Sequence, residues 1–211
     1  MGRNISAHRE RGGLVGQCPP CVVTRRRGTC NGLAIIDTMH DLYALARQIK
    51  LWGNELGFAA VGIADCELSR AENELQQWLD KGFHGEMDYM AAHGSKRARP
   101  AELIPGTQRI ISVRLDYLPP AAADPDSVLN NPNAGYIARY ALGRDYHKVL
   151  RARLQQLADR ISAEVGEHHY RVFTDSAPVL EVELAAKAGL GWRGKHTLLL
   201  NREHGSWFFL G

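Results

Sequence analysis

The chain has no run of eighteen consecutive apolar residues; its longest candidates are short stretches such as Thr197 to Leu200 and Trp207 to Leu210. That falls short of a membrane-crossing helix. It also has no large excess of one charge, with 26 Lys and Arg against 23 Asp and Glu and a formal net charge of +3. Six of the cations (Arg3, Arg9, Arg11, Arg25, Arg26, Arg27) face only Glu10 and Asp37 within residues 1–38, so the remaining body is close to neutral. Any polyanion site must therefore be a local patch. Cysteine is scarce as well: Cys18, Cys21 and Cys30 lie in that first stretch and Cys66 stands alone in the body. Nothing implies a disulfide framework, and the body reads as cytoplasmic. There are no internal repeats, and 45% hydrophobic with 23% charged residues excludes disordered and collagen-like classes. What is present over 211 residues suffices for one good core.

Residues 1–38 are rich in Arg, Gly and Cys, lack any apolar period, and give way to a clean amphipathic pattern after Met39. They are expected to be a disordered basic extension, or upstream sequence with Met39 as the true start; a targeting leader would need an apolar centre. Cys18-Pro-Pro-Cys21 has the spacing of a redox or zinc pair. A zinc site needs a second pair of ligands and only Cys30 follows, so the thiols read as incidental.

Leu42, Leu45, Ile49, Trp52 and Leu56 recur at helical spacing before Gly57, predicting a helix over 41–56. A short strand follows at 59–64, then a helix opened by a Ser69/Glu72 capping box and closed near Gly82, and a helical stretch over 84–92. Alternation of Ile111, Val113, Leu115 and Tyr117 predicts a strand over 109–117. Residues 119–133, with four prolines, read as a long loop. Asp145 can cap a helix to about 165 whose Leu150, Leu154, Leu157, Ile161 and Val165 face inward. A strand at 170–174, a helix at 178–188 and a hairpin of 197–200 with 207–210 complete the pattern. The class is helices covering a sheet, α/β or α+β.

Gly189, Gly191 and Gly194 match a dinucleotide fingerprint, and with Lys195 they nearly match a phosphate loop. Both need a strand before the glycines and a helix after, whereas here a helix precedes and a strand follows. Gly189 then reads as a helix cap, while Gly191 and Gly194 allow close backbone approach. Asp145-Tyr146-His147 resembles the opening of the motif by which one class of corrinoid proteins presents an imidazole to cobalt, but Leu150 stands where its glycine belongs. Asp175 sits between a strand and a helix. As a cap it would be ionised and its pKa depressed, whereas as a proton donor it would need desolvation to keep its proton. Residue chemistry alone favours the cap, although Ser176 can cap instead and free Asp175 to face a cleft.

Taken together, residues 135–147 (Gly-Tyr-Ile-Ala-Arg-Tyr-Ala-Leu-Gly-Arg-Asp-Tyr-His), Asp175-Ser-Ala-Pro178 and Ala188 to His196 closely resemble epoxyqueuosine reductases. Trp52 to Phe58, His84 to Met90 and Arg97 to Pro100 fit in order, so the resemblance spans 39–211. It implies an α+β, nitroreductase-like mixed sheet flanked by helices, forming a corrinoid-binding domain. It also implies a cobalamin-dependent, iron-sulfur oxidoreductase that completes queuosine synthesis by removing the epoxide oxygen from epoxyqueuosine in the tRNA anticodon loop. Family members continue into a domain with two four-iron four-sulfur clusters, whose cysteines this chain lacks. Because the sequence stops inside an apolar stretch at Gly211, residues 39–211 are expected to be the amino-terminal cobalamin and substrate domain, truncated before the iron-sulfur domain.

The resemblance places Asp175 on the family's proton donor, reversing the cap reading and implying a raised pKa beside the corrin. It places Arg97, Ala138, Lys195, His196 and Leu199 along the cobalamin pocket, with the cofactor held base-off and no protein ligand at cobalt. Ala138 replaces the Cys of some relatives, which removes any thiol role there. Arg97, Arg99, Arg139, Arg144 and Lys148 are either tRNA-backbone contacts or ordinary solvated surface. Alternatives from other classes are a non-catalytic corrinoid- or tRNA-binding module and a nitroreductase-like flavin protein. The electron donor is not identified by sequence.

Overall fold

A computed structural model describes residues 39–118 and 122–211. The Cys18/Cys21 pair and the expected extension lie outside the described residues. The amphipathic repeat forms α1, Met39–Glu55, and the chain reverses at Gly57, whose φ of +82° favours glycine. β1 follows at Ala60–Ala64. Its side chains alternate between two covered faces. Val61 joins Ile49 and Phe58 in one core. Gly62 meets the other side, where a Cβ would stand 2.5 Å from the Ala188 carbonyl oxygen.

α2, Ser69–Asp80, starts without the expected capping box. Glu67 takes the Ser69 N–H at 2.7 Å, while Glu72 is engaged by Arg99 at 3.0 Å. The helix expected over 84–92 is reduced to a 3₁₀ turn at Asp88–Met90, and another lies at Gly94–Arg97; Gly85 and Gly94, both at positive φ, interrupt the run. α3 is a single turn at Pro100–Leu103. β2, Ile110–Asp116, pairs antiparallel with β1, setting Val61 opposite Val113. The other face of β2 is not solvated as simple alternation suggests: Arg114 is buried, 3.1 Å from Asp116 and over the Phe208 ring. A buried charge needs such a partner.

The loop expected over 119–133 contains a short helix, α4, Pro125–Leu129, started by proline and by Asp124 accepting the Ser127 N–H at 2.9 Å. α5 runs Tyr146–Val165, capped by Asp145, and buries Leu150, Leu154, Leu157 and Ile161 as expected against α1 and the sheet. Each such side chain contributes about 1.5–3 kcal/mol.

The strand expected at 170–174 does not form. Val172 is held by side-chain packing on the α1–α5 core, and Thr174 is fully buried without backbone pairing to any strand. α6 spans Glu181–Lys187, with Gly189 at φ +82° just past its end, as expected for a cap.

The expected hairpin of 197–200 with 207–210 is also replaced. β3, Trp192–Arg193, pairs with β4, Leu199–Leu200, because Gly191 admits the Leu200 carbonyl to within 2.1 Å of where a Cβ would be. β5, Phe208–Leu210, takes the free edge of β2 instead. The main sheet is thus β1-β2-β5, between α1 with α5 on one side and α6 on the other. The α+β class holds, but both pairings in this sheet are antiparallel, so among the described residues it is not mixed. No helix of the described residues is long and apolar enough to cross a membrane.

Candidate functional site

Asp175 does not cap α6, whose first turn has Leu180 at the capping position and no side-chain cap. It occupies the left-handed region at φ +54°, and its carboxylate turns toward the start of α5. There Tyr146 Oη donates to Asp175 Oδ2 at 2.6 Å, and His147 Nε2 lies 3.3 Å from the same oxygen. Asp145 accepts the His147 backbone N–H at 3.0 Å and meets its Nδ1 at 2.9 Å. The imidazole is therefore held between two carboxylates, with both ring nitrogens engaged. Its ring stacks on Tyr146 at 4.0 Å, and Tyr146 in turn stacks on Phe209 at 3.9 Å. Sheet and helix thus fix the orientation of the groups around Asp175.

The electrostatics follow from this placement. The Tyr146 hydroxyl is pushed far up by burial and by its hydrogen bond to Asp175, so it stays protonated as a donor. The hydrogen bond from His147 holds Asp145 below the usual carboxylate range. Glu181, the first residue of α6, is pushed up to about 7 by burial and by the charge of Asp175. A carboxyl holding its proton near neutrality is the kind of group that the sequence reading sought at this cleft, and it stands six residues beyond Asp175. The sequence missed both Glu181 and the Tyr146 contact. The one available signal was Glu181 in the first turn of an expected helix directly after Asp175-Ser-Ala-Pro.

The other expected residues are placed as follows. Arg97 ends a 3₁₀ turn; its carbonyl takes the Leu180 N–H at 3.0 Å, its guanidinium donates to the Tyr89 carbonyl, and its buried Nε has no hydrogen-bond partner. Ala138 is exposed on the segment leading to α5, among exposed Tyr136, Ile137, Tyr140 and Leu142. Lys195 and His196 are exposed on the β3–β4 turn, where the imidazole lies against Gly194. Leu199 is 2% exposed, packed with Ala185, Leu190 and Phe208, so its side chain supports that hairpin from within. Among the described residues, no hydrogen bond or ion pair joins Lys195 or His196 to the Asp175 cluster. The glycines of 189–194 serve the helix end and the hairpin, with a helix before and a strand after, as the argument against a nucleotide loop required.

Two clefts flank α5. One, of about 600 Å³, is lined by Arg144, Lys148 and Arg153 with Asp145. The other, of about 470 Å³, is lined by Arg151, Arg171, Tyr170 and Ser176. Of the five basic residues singled out in the sequence, Arg144 and Lys148 line a cleft. Arg99 is instead paired with Glu72 and Glu102, and Arg139 is turned to the Ala123 carbonyl.

Residues 97–176 match the family described as Epoxyqueuosine reductase QueG, DUF1730. The chain is 64% identical over 171 residues to an epoxyqueuosine reductase of Pseudomonas aeruginosa, covering 81% of this chain and 47% of that protein. It is 56% identical over 210 residues to one of Burkholderia pseudomallei, covering 92% and 51%. The chain thus spans about half the length of the curated relatives it matches. Its fold is similar to that of the epoxyqueuosine reductase from Streptococcus thermophilus, with a TM-score of 0.66 at 23% identity over 78% of this chain and 44% of that one. It is equally similar, at 22% identity over 80% and 44%, to an epoxyqueuosine reductase crystallised with an epoxyqueuosine-modified tRNA-Tyr stem loop.

Proposed function

From this kinship with epoxyqueuosine reductases over about half their length, we propose that the chain forms the cobalamin- and substrate-binding portion of such an enzyme. The reaction is reductive removal of the epoxide oxygen from epoxyqueuosine in tRNA, giving queuosine. Both C–O bonds of the epoxide break, a C=C bond forms and the oxygen leaves as water, consuming two electrons and two protons. The observation that carries the reading is the Asp175 carboxylate held by Tyr146 and His147 at the start of α5.

Once protonated, a carboxyl so oriented can hand that proton to the departing oxygen. Tyr146, which keeps its own proton, and His147, pinned by Asp145, fix the direction in which Asp175 does so. Delivery from a fixed side chain is worth about 10²–10⁴-fold in general acid catalysis.

Cobalamin brings its cobalt in its own ring, so the protein supplies a broad face and scattered polar contacts. The residues present fit that demand. Exposed Tyr136, Ile137, Tyr140 and Leu142 around Ala138 offer apolar surface, and the unpartnered Nε of Arg97 offers a donor. Lys195 and His196 add polar contacts, and Leu199 supports their hairpin. When bound, the cofactor supplies the reducing centre. Both nitrogens of His147 are engaged by carboxylates, so this imidazole would not be free to bind cobalt. Four-iron clusters do not fit the described residues: they need cysteine thiolates, and Cys66 is the one cysteine there.

The chain supplied with cobalamin, a low-potential reductant and modified tRNA tests the proposal. Asp175→Asn is expected to retain cobalamin, read by loss of the axial nitrogen splitting in the paramagnetic resonance spectrum of cob(II)alamin, while turnover drops by about a hundredfold or more. Full activity in that variant would remove Asp175 from the chemistry.

A further inference from the structure

We infer that the groove between α5 and residues 170–176 is a subsite for the RNA nucleotide next to the one that reaches Asp175, with Arg151 and Arg171 taking backbone phosphates and Tyr170 stacking the base. The inference rests on the reading of this chain as a substrate-binding portion and adds to it the path of the RNA strand. The groove starts at the site itself: Ser176, the neighbour of Asp175, lines one end of it. On α5, Arg151 and Gln155 follow His147 at intervals of four, so the helix face that meets Asp175 through His147 continues as the wall of the groove. Its volume of about 470 Å³ falls in the range of small-ligand sites, about 300–1,000 Å³.

Its chemistry is that of a single-stranded RNA site, where cations track the backbone and flat side chains stack bases. Arg151 and Arg171 are exposed, and among the described residues neither is ion-paired. No carboxylate of the described residues lines the groove. Asp159, one turn further along α5, is engaged by Gln155, whose Nε2 donates to it at 2.7 Å. The Arg171 guanidinium lies over the Phe173 ring, 4.9 Å from its centroid, which steadies a flat cation at the groove wall. Tyr170 is 43% exposed, yet its hydroxyl is held, accepting from Gln155 Nε2 at 2.6 Å. A ring fixed at one end and open to solvent can stack a base with little further ordering. The cleft on the other flank of α5 has cations but no aromatic lining, and it includes Asp145. It suits phosphate alone, whereas this groove can hold phosphate and base together.

The experiment is nuclear magnetic resonance of the full 211-residue chain titrated with two RNAs: an anticodon stem loop carrying epoxyqueuosine, and the same loop with guanosine in its place. Both loops are expected to shift the Arg151 and Arg171 side-chain N–H signals and the Tyr170 ring signals. Affinity is then measured at several salt concentrations. The Arg151→Glu, Arg171→Glu double variant is expected to lower the salt slope by about 1.4, at about 0.7 per phosphate of a single strand. Tyr170→Leu is expected to weaken binding about tenfold with the slope unchanged. If the modified loop shifts the His147 amide but leaves the groove signals unmoved, the subsite is overturned while the proposed function stands; that result needs no variant to fold. If both loops move the groove signals while Asp175→Asn keeps full turnover, the subsite stands and the assigned chemistry falls. If neither loop moves either set of signals, both readings are overturned.

Discussion

Two carboxyl side chains six residues apart, Asp175 and Glu181, meet opposite surroundings. Asp175 stands where hydroxyl and imidazole groups reach its oxygens, whereas Glu181 is enclosed and faces a like charge. That enclosure has a thermodynamic sign. The ordinary value for Glu181, 4.5, rises to about 7 in the fold, so between these pH values the folded chain holds a proton that the unfolded chain has released. The stabilisation linked to that proton is fully present below about 4.5 and is lost as pH rises through about 7. The span corresponds to about 3–4 kcal/mol. Asp145, pushed down by His147, contributes in the other direction and loses its share as pH falls. Urea unfolding at about pH 5 and about pH 8 should therefore show a smaller loss of stability for Glu181→Gln than for the unaltered chain. The sequence marked Asp175 through its neighbours in the chain. It did not mark Tyr146 or Glu181 as its partners, because the hydrogen bond from Tyr146 spans 29 positions and the enclosure of Glu181 depends on how α6 seats.

At the scale of elements, α1, β1, β2 and α5 were legible because each buries one stripe or face, and burial writes a period into the sequence. Leu150, Leu154, Leu157 and Ile161 are the clearest case, since their spacing alone oriented α5. Residues 170–174 and the final strands were misread for a different reason. Their apolar content was right, but a strand is defined by its partner, and nothing local tells Phe208–Leu210 to choose β2 over Leu199–Leu200. Partner choice here is set by close backbone approach, the same device that seats α6 on β1. A methyl group at Gly62 would press on the Ala188 carbonyl, a backbone atom that cannot swing aside. Gly62→Ala is expected to cost about 1–3 kcal/mol in urea unfolding with little change in the denaturant slope.

Across the whole molecule, charge that is nearly balanced in sum is unevenly spent. Many cations are neutralised locally, as Arg99 is by Glu72 and Glu102 and Arg193 by Glu74 and Glu183. Arg144 and Lys148 instead line an open cleft at the end of α5 that also carries Tyr146 and His147. Under the proposed reading with tRNA as substrate, this cleft is expected to meet its phosphates. The Arg144→Glu, Lys148→Glu double variant should bind modified tRNA more weakly and lower the salt dependence by about one to two charges' worth, measured by titration at several salt concentrations. Unchanged affinity would take the cleft out of the interface. Mutation samples every position of such a molecule, but not every residue is available at every position. The φ of +54° at 175 admits glycine, asparagine and aspartate far more readily than other residues. Of those three, aspartate alone has an ionisable side chain. Backbone shape therefore narrows the alphabet at this position before chemistry selects from it, and replacing aspartate with asparagine alters the chemistry while leaving the shape in place.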